Sequence, residues 1–272
     1  MTVSSMNIGT LYGVGVGPGD PELLTLKALR ILHNVDVVAY FAKAGNRSCA
    51  LTIAQSHIPE TTRTLAMEYP VTTELHRHSE EYKAQLDAFH DSASQTLADL
   101  MESGLSVAVI SEGDPLFYGS FMHLYIRLAA RFNTEIIPGI TGMSGSWSLA
   151  QVPICQGDDV FKVVPGTLEE DQLVEQFQQN EAIVVMKIGR HLGTVRQALK
   201  RAGRLQQAIY VERATQEGQQ LAFLKDKPTN QAPYFSLVLI PGFETAEYDA
   251  LKGHVAGAPI NEASDTSWQQ DV

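Results

Sequence analysis

Apolar residues in this chain fall into short unbroken runs, and most runs are followed by a stretch whose apolar positions lie three or four apart. The first run, Leu11 to Val16, reads as a buried strand, and Glu22 to His33 as the helix after it. Val35 to Tyr40 repeats the strand pattern and Arg47 to His57 a short helical one. Thr61 to Glu68, with its β-branched residues, is a third strand. Residues 73–103 are polar, with Leu75, Tyr82, Leu86, Phe89, Leu97, Leu100 and Met101 at helical spacing, which predicts one or two surface helices stopped by Gly104. Leu105 to Ile110 is again a strand, Phe117 to Phe132 a helix, and Glu135 to Ile137 a short strand. A glycine-rich turn, 138–146, leads into a short helix at Trp147 to Ala150. Strands alternating with helices predict a parallel sheet covered by helices.

The pattern breaks at Gln151 to Asp159, where Asp158 and Asp159 mark a linker. Phe161 to Val164 opens a second series. It continues as a helix (Leu168 to Gln178), a strand (Ala182 to Ile188) and a helix (His191 to Ala202). Three strands follow, at Ala208 to Arg213, Gln220 to Leu224 and Tyr234 to Ile240. There is no clear internal repeat. The expected architecture is α/β in two domains, residues 9–152 and 160–242, with a loosely ordered tail over 243–272.

Composition narrows the classes. The 272 residues suffice for two ordinary α/β domains, and a hydrophobic fraction of 44% supports real cores. A formal charge of −11 argues against a nucleic-acid binder, which usually carries a basic face, but leaves room for a small anionic ligand held by local arginines. No apolar run approaches the roughly 20 residues of a membrane span, and the N-terminus lacks the regions of a signal peptide. Two cysteines, Cys49 and Cys155, form neither a disulfide framework nor a metal pattern. They read as reduced thiols of a cytoplasmic protein. His76, His78 and His90 lie on the long polar stretch, where lone histidines are ordinarily surface residues rather than metal ligands.

The glycine turn after the first strand, Gly13-Val14-Gly15-Val16-Gly17-Pro18-Gly19-Asp20-Pro21, invites a nucleotide reading. It fails in both registers of G-x-G-x-x-G, because the sixth position is Pro18 or Asp20. No Walker-type Gly-Lys-Ser/Thr is present. Asp20 stands at an N-cap position before Pro21, where its charge would repel a pyrophosphate. An ordinary strand-to-helix turn is the competing reading. The loops at Gly17, Gly113 and Gly139 each follow a strand, so they are expected to share the carboxyl-end rim where such sheets bind ligands.

Five motifs in order carry a family resemblance. They are Leu11 to Asp20 with Leu24-Thr25-Leu26-Lys27-Ala28, then Glu112-Gly113-Asp114-Pro115, Pro138-Gly139-Ile140-Thr141, Val185-Met186-Lys187 and Val211-Glu212-Arg213-Ala214-Thr215. Together they resemble the tetrapyrrole methylases, the S-adenosylmethionine-dependent enzymes of sirohaem and cobalamin synthesis, over about residues 9–241. The resemblance implies two α/β domains with S-adenosylmethionine in the cleft between them, a homodimer, a tetrapyrrole substrate and no metal. It places the methyl donor against Pro18, Glu112, Gly113, Asp114, Phe117, Thr141, Gly142, Met186 and Ala214, the last where relatives often carry glycine. It turns the first glycine loop, with Gly17 and Asp20, toward the tetrapyrrole, which removes the conflict between Asp20 and a phosphate.

The residue types suit that chemistry. Asp114 can pair with a donor amine or hydroxyl, with an Asp-Pro turn or helix cap as the alternative. Thr141 offers a hydroxyl among glycines, and Met186 without the resemblance would be read as core. Methyl transfer to carbon needs orientation of both reactants and then a base for the displaced proton. Tyr118, Glu112 and Tyr40 are the candidates, each with a packing or capping role as its alternative. The tetrapyrrole that the resemblance implies is a polycarboxylate, so an acidic protein would need a local basic lining. Lys43, Arg47, Arg190 and Arg213 lie near predicted strand ends and suit carboxylate contacts.

Overall fold

A computed structural model of the chain describes residues 8–70, 79–179 and 181–242, together with Gly253 and Val255. The packing divides the chain after Gly142 into two units, each built on a five-stranded sheet.

The first unit contains β1 (Leu11–Gly15), β2 (Val37–Lys43), β3 (Arg63–Tyr69), β4 (Val107–Ser111) and β5 (Thr134–Ile137), in the order β3-β2-β4-β1-β5. Every pairing is parallel. Its helices are α1 (Leu26–Leu32), α2 (Cys49–Ala54), α3 (Glu80–Glu102) and α4 (Phe121–Leu128). Along β4, Val107 and Val109 join the core under α3 and α4, while Ala108 and Ile110 join the core under α1 and α2. Burial on both faces is why these strands read as unbroken apolar runs rather than alternating ones.

The structure corrects several local expectations. The helix predicted over Glu22 to His33 is broken. Asp20 caps only a 3-10 turn, Pro21–Leu23, by accepting from the Glu22 N–H at 2.9 Å. The chain then extends at Leu24, and Thr25 restarts it as α1 by accepting from the Ala28 N–H at 3.1 Å. Strand β2 runs on through Lys43 because it pairs along its whole length with β3, so Tyr40 and Lys43 are strand residues. α4 begins at Phe121, since Tyr118 is left-handed with φ 55° and the chain cannot be helical through it. His90 is buried, not surface: α3 packs this face inward, and the ring stacks on His123 with centroids 4.3 Å apart. His76 and His78 lie outside the described residues, as does nearly all of the segment predicted as a tail.

The second unit contains α5 (Gly142–Ala150, entered at Gly142), β6 (Phe161–Pro165), α6 (Glu170–Phe177), β7 (Ala182–Met186), α7 (Leu192–Arg201), β8 (Ile209–Glu212), β9 (Gln220–Phe223) and β10 (Ser236–Ile240). α5 takes up the glycine turn itself, so its helix is longer than predicted. The sheet order is β6-β7-β10-β8-β9. β10 is antiparallel to both β7 and β8, so those two strands run the same way and their carboxyl ends share one edge. α6 and α7 cover one face through Leu173, Phe177, Leu192, Val195 and Leu199. Buried Arg204 ties together the carbonyls of Gln179 (2.6 Å) and Glu181 (3.1 Å) and reaches those of Phe177 and Pro241.

Candidate functional site

Parallel order puts the carboxyl ends of β4, β1 and β5 side by side, and the three glycine loops meet there. A Cβ on Gly139 would lie 1.9 Å from the Gly113 carbonyl oxygen, and one on Gly15 would lie 2.5 Å from both that oxygen and the Gly139 nitrogen. Backbone against backbone at this distance admits only glycine. Gly17 and Gly113, both at positive φ, form a bridge in which the Gly113 N–H donates to the Gly17 carbonyl at 2.8 Å. Around Gly113, the backbone of Thr141 and Gly142 comes within 3.6 Å of the position a Cβ would take. The structure therefore brings Gly17, Pro18, Gly113, Thr141 and Gly142 to one rim.

Asp114 holds that rim. Its Oδ1 accepts from the Leu116 N–H at 2.9 Å, an Asx-type turn, and its Oδ2 accepts from the Gly139 N–H at 3.2 Å. The same side chain thus shapes its own loop and ties it to the loop after β5. Glu112 points to the other side, where its Oε1 accepts from the Ala50 N–H at 3.0 Å in the first turn of α2. Phe117 and Tyr118 follow, their rings edge to face at 4.9 Å. Tyr118 is 44% exposed and left-handed, a conformation that costs a bulky residue about 1–3 kcal/mol and is typical of functional loops.

Tyr40 and Arg47 line a groove of about 560 Å³ with Asn46, Ser48, Thr52 and Glu68. Lys43 sits opposite Tyr69 at the far end of β2 and is not part of this lining, nor are Gly17 and Asp20. On the opposite face of β2, where Phe41 points, lies an aromatic cluster. Tyr69 stacks on Phe41 at 5.4 Å and donates its hydroxyl to Ser120. Burial pushes the Tyr69 phenol above its ordinary range, with the nearby Glu112 charge acting in the same direction.

The remaining candidates belong to the second unit. Met186 ends β7, half-buried, and Ala214 follows β8, 9% exposed. Arg190 is exposed beside His191, and Arg213 lies against Glu212. Sequence reasoning missed the buried polar group here. Tyr210 and Glu212, two apart on β8, share a face. The Tyr210 hydroxyl donates to Glu212 Oε2 at 2.6 Å and lies 3.2 Å from the Ser236 hydroxyl. The ammonium of buried Lys227 sits 4.4 Å from the centre of the Tyr210 ring. Burial raises the Tyr210 phenol and lowers the Lys227 ammonium. A glutamate ending the apolar run Ala208 to Val211 was the available signal. Among the described residues no group of three or more metal-ligating side chains converges, and no helix is long and apolar enough to cross a membrane.

The sequence pattern of the tetrapyrrole (corrin/porphyrin) methylases matches residues 10–226. A precorrin-2 C(20)-methyltransferase of Sinorhizobium sp is 49% identical over 89% of this chain and 99% of its own length. Among solved structures, a cobalt precorrin-4 methyltransferase of cobalamin biosynthesis is similar with a TM-score of 0.67 and 21% identity, over 89% of this chain and 98% of that one. A Thermus thermophilus uroporphyrin-III C-methyltransferase, in complex with S-adenosylhomocysteine, has a TM-score of 0.58 and 23% identity, over 86% of this chain and 92% of that one. At those identities the two structures speak to the fold.

Proposed function

This chain belongs to the tetrapyrrole (corrin/porphyrin) methylases, and from that premise we propose that it methylates carbon 20 of precorrin-2, giving precorrin-3A in cobalamin biosynthesis. The observation that carries the reading is the 49% identity to a precorrin-2 C(20)-methyltransferase across nearly the whole of both chains.

S-adenosylmethionine, when bound, supplies an electrophilic methyl group. The rim suits such a ligand, because glycine backbone rather than side chains is packed at the junction of its loops and α5 opens from it at Gly142. In this reading Pro18, Glu112, Gly113, Asp114, Phe117, Thr141, Gly142, Met186 and Ala214 contact the donor. Asp114 does so in part by holding the Gly113 and Gly139 loops in register. Correct mutual orientation is the main contribution asked of these residues. Tyr40 and Arg47, on the groove, Lys43 at the end of β2, and Gly17 and Asp20 on the loop after β1 receive the tetrapyrrole, the basic side chains taking its peripheral carboxylates. Tyr118 and Glu112 are the proposed acceptors of the displaced proton. Tyr118 is exposed and left-handed on the loop after β4, and Glu112 also accepts from the Ala50 N–H. The reading includes a homodimer, which the family resemblance supports, and a cytoplasmic location, which the chain's two cysteines, read as reduced thiols, support.

The test is incubation with S-adenosylmethionine and metal-free precorrin-2, followed by mass and magnetic-resonance location of any added methyl. One methyl at carbon 20 is the expected result. Methylation of only the cobalt-containing ring would assign the sister activity on cobalt-factor II. Tetrapyrrole binding without transfer would make the chain a non-catalytic binding module.

A further inference from the structure

Lys187, Arg213 and Thr215, at the ends of β7 and β8, have φ of 56°, 48° and 65°. Left-handed backbone at non-glycine positions costs about 1–3 kcal/mol each and persists only where the surroundings over-determine it. The turn after β8 is held by main-chain bonds: Arg213 N–H to the Phe235 carbonyl at 2.7 Å, and Gln216 N–H to the Arg213 carbonyl at 2.9 Å. The Thr215 N–H donates to Gln219 Oε1 at 3.2 Å. The Arg213 side chain is folded inward as well, 12% exposed, with its Nη1 3.8 Å from Glu212 Oε1.

Glu212 itself is 1% exposed. Its Oε2 receives the Tyr210 hydroxyl, while its Oε1 is buried without a hydrogen bond. Burying a carboxylate costs several kcal/mol, and a neutral amide could hold the tyrosine equally well. Two cations share this charge, the Lys227 ammonium and the Arg213 guanidinium that faces Oε1, and of the two only Arg213 belongs to the left-handed turn. We propose that Glu212 is a positioning residue for the methyl-donor site: its buried charge draws the Arg213 side chain inward, fixes the left-handed turn, and so sets the backbone at Ala214. This inference rests on the reading of Ala214 as a donor contact.

The experiment measures S-adenosylhomocysteine affinity by calorimetry, and donor KM and kcat, for Glu212→Gln, Arg213→Gln and the double variant. Glu212→Gln keeps the shape and an oxygen for Tyr210, and removes only the charge. Each single variant is expected to weaken binding about tenfold, and the double variant no further, because the two residues act as one unit. Donor KM should rise while kcat at saturating donor stays within about twofold, whereas a merely unstable protein would lose kcat with KM unchanged. Should Glu212→Gln fail to fold, Arg213→Gln alone must show the KM effect. Unchanged affinity in Arg213→Gln, or additive losses in the double variant, would overturn the positioning role. A wild-type protein that does not bind S-adenosylhomocysteine would instead overturn the donor reading, and this assignment with it.

Discussion

Replacing Gly139 by alanine tests the loop junction most directly. The added Cβ would stand 1.9 Å from the Gly113 carbonyl oxygen and 2.8 Å from the Gly15 Cα. Neither neighbour is a flexible side chain, so one loop must recede by about an ångström. That movement strains two bonds, Gly113 N–H to the Gly17 carbonyl at 2.8 Å and Gly139 N–H to Asp114 Oδ2 at 3.2 Å. A neutral hydrogen bond is worth about 1 kcal/mol and one to a charge about 1.5–3, while overpacking adds about 1–3. With partial relaxation the expected loss is roughly 3–5 kcal/mol, a large share of the stability of an ordinary domain. Gly142→Ala is the control, in the same turn. Its Cβ would meet nothing within 4 Å, so its stability should stay within about 0.5 kcal/mol of wild type. Urea unfolding compares the three proteins, and S-adenosylhomocysteine calorimetry on folded Gly139→Ala reads the rim. If Gly139→Ala unfolds with wild-type stability and binds with wild-type affinity, the three loops do not depend on this contact.

Three further outcomes are expected. Asp114→Asn keeps an oxygen for Leu116 but cannot satisfy both backbone donors as a carboxylate does, so both melting temperature and donor affinity should fall, by about 1–3 kcal/mol in binding; calorimetry and a melting scan that match wild type would dismiss the role. Burial, then the neighbouring His123 and Arg127 charges, push His90 from 6.5 down to about 4, so the unfolded chain takes up a proton that the folded one refuses; stability is complete above about pH 6.5 and falls as pH drops toward 4, by about 2 kcal/mol at pH ~5. His90→Phe should lose that component, and urea titrations in which both proteins follow one pH profile would refute it. Arg47→Glu, on the groove shared with Tyr40, should impair tetrapyrrole binding and spare donor binding, because it sets carboxylate against carboxylate; paired titrations showing equal loss of both would make Arg47 a structural residue.

The order of strands and helices, the division into two α/β series and the glycine loops at strand ends were all legible in the sequence. Each rests on local information: an unbroken apolar run marks a strand buried on both faces, and glycine marks a backbone conformation or approach closed to other residues. The tertiary structure alone decided what the polar side chains do. Asp114 and Gly139 are 25 residues apart and Glu112 and Ala50 are 62 apart, so no window of sequence shows that one carboxylate ties two loops and the other caps α2. His90 carries the same neighbours in sequence whether α4 covers it or water does, and only the packing of α3 on α4 buries it. The break at Leu24 came from Asp20 and Thr25 both acting as caps, two local signals whose competition the surrounding fold resolved. Glu212 looked like the polar end of a strand, and it is a buried charge on the face it shares with Tyr210, where Ser236 of the neighbouring β10 and Lys227 lie against the tyrosine. Periodicity fixes which way a side chain points, but the partner it meets there is set by elements distant in the chain.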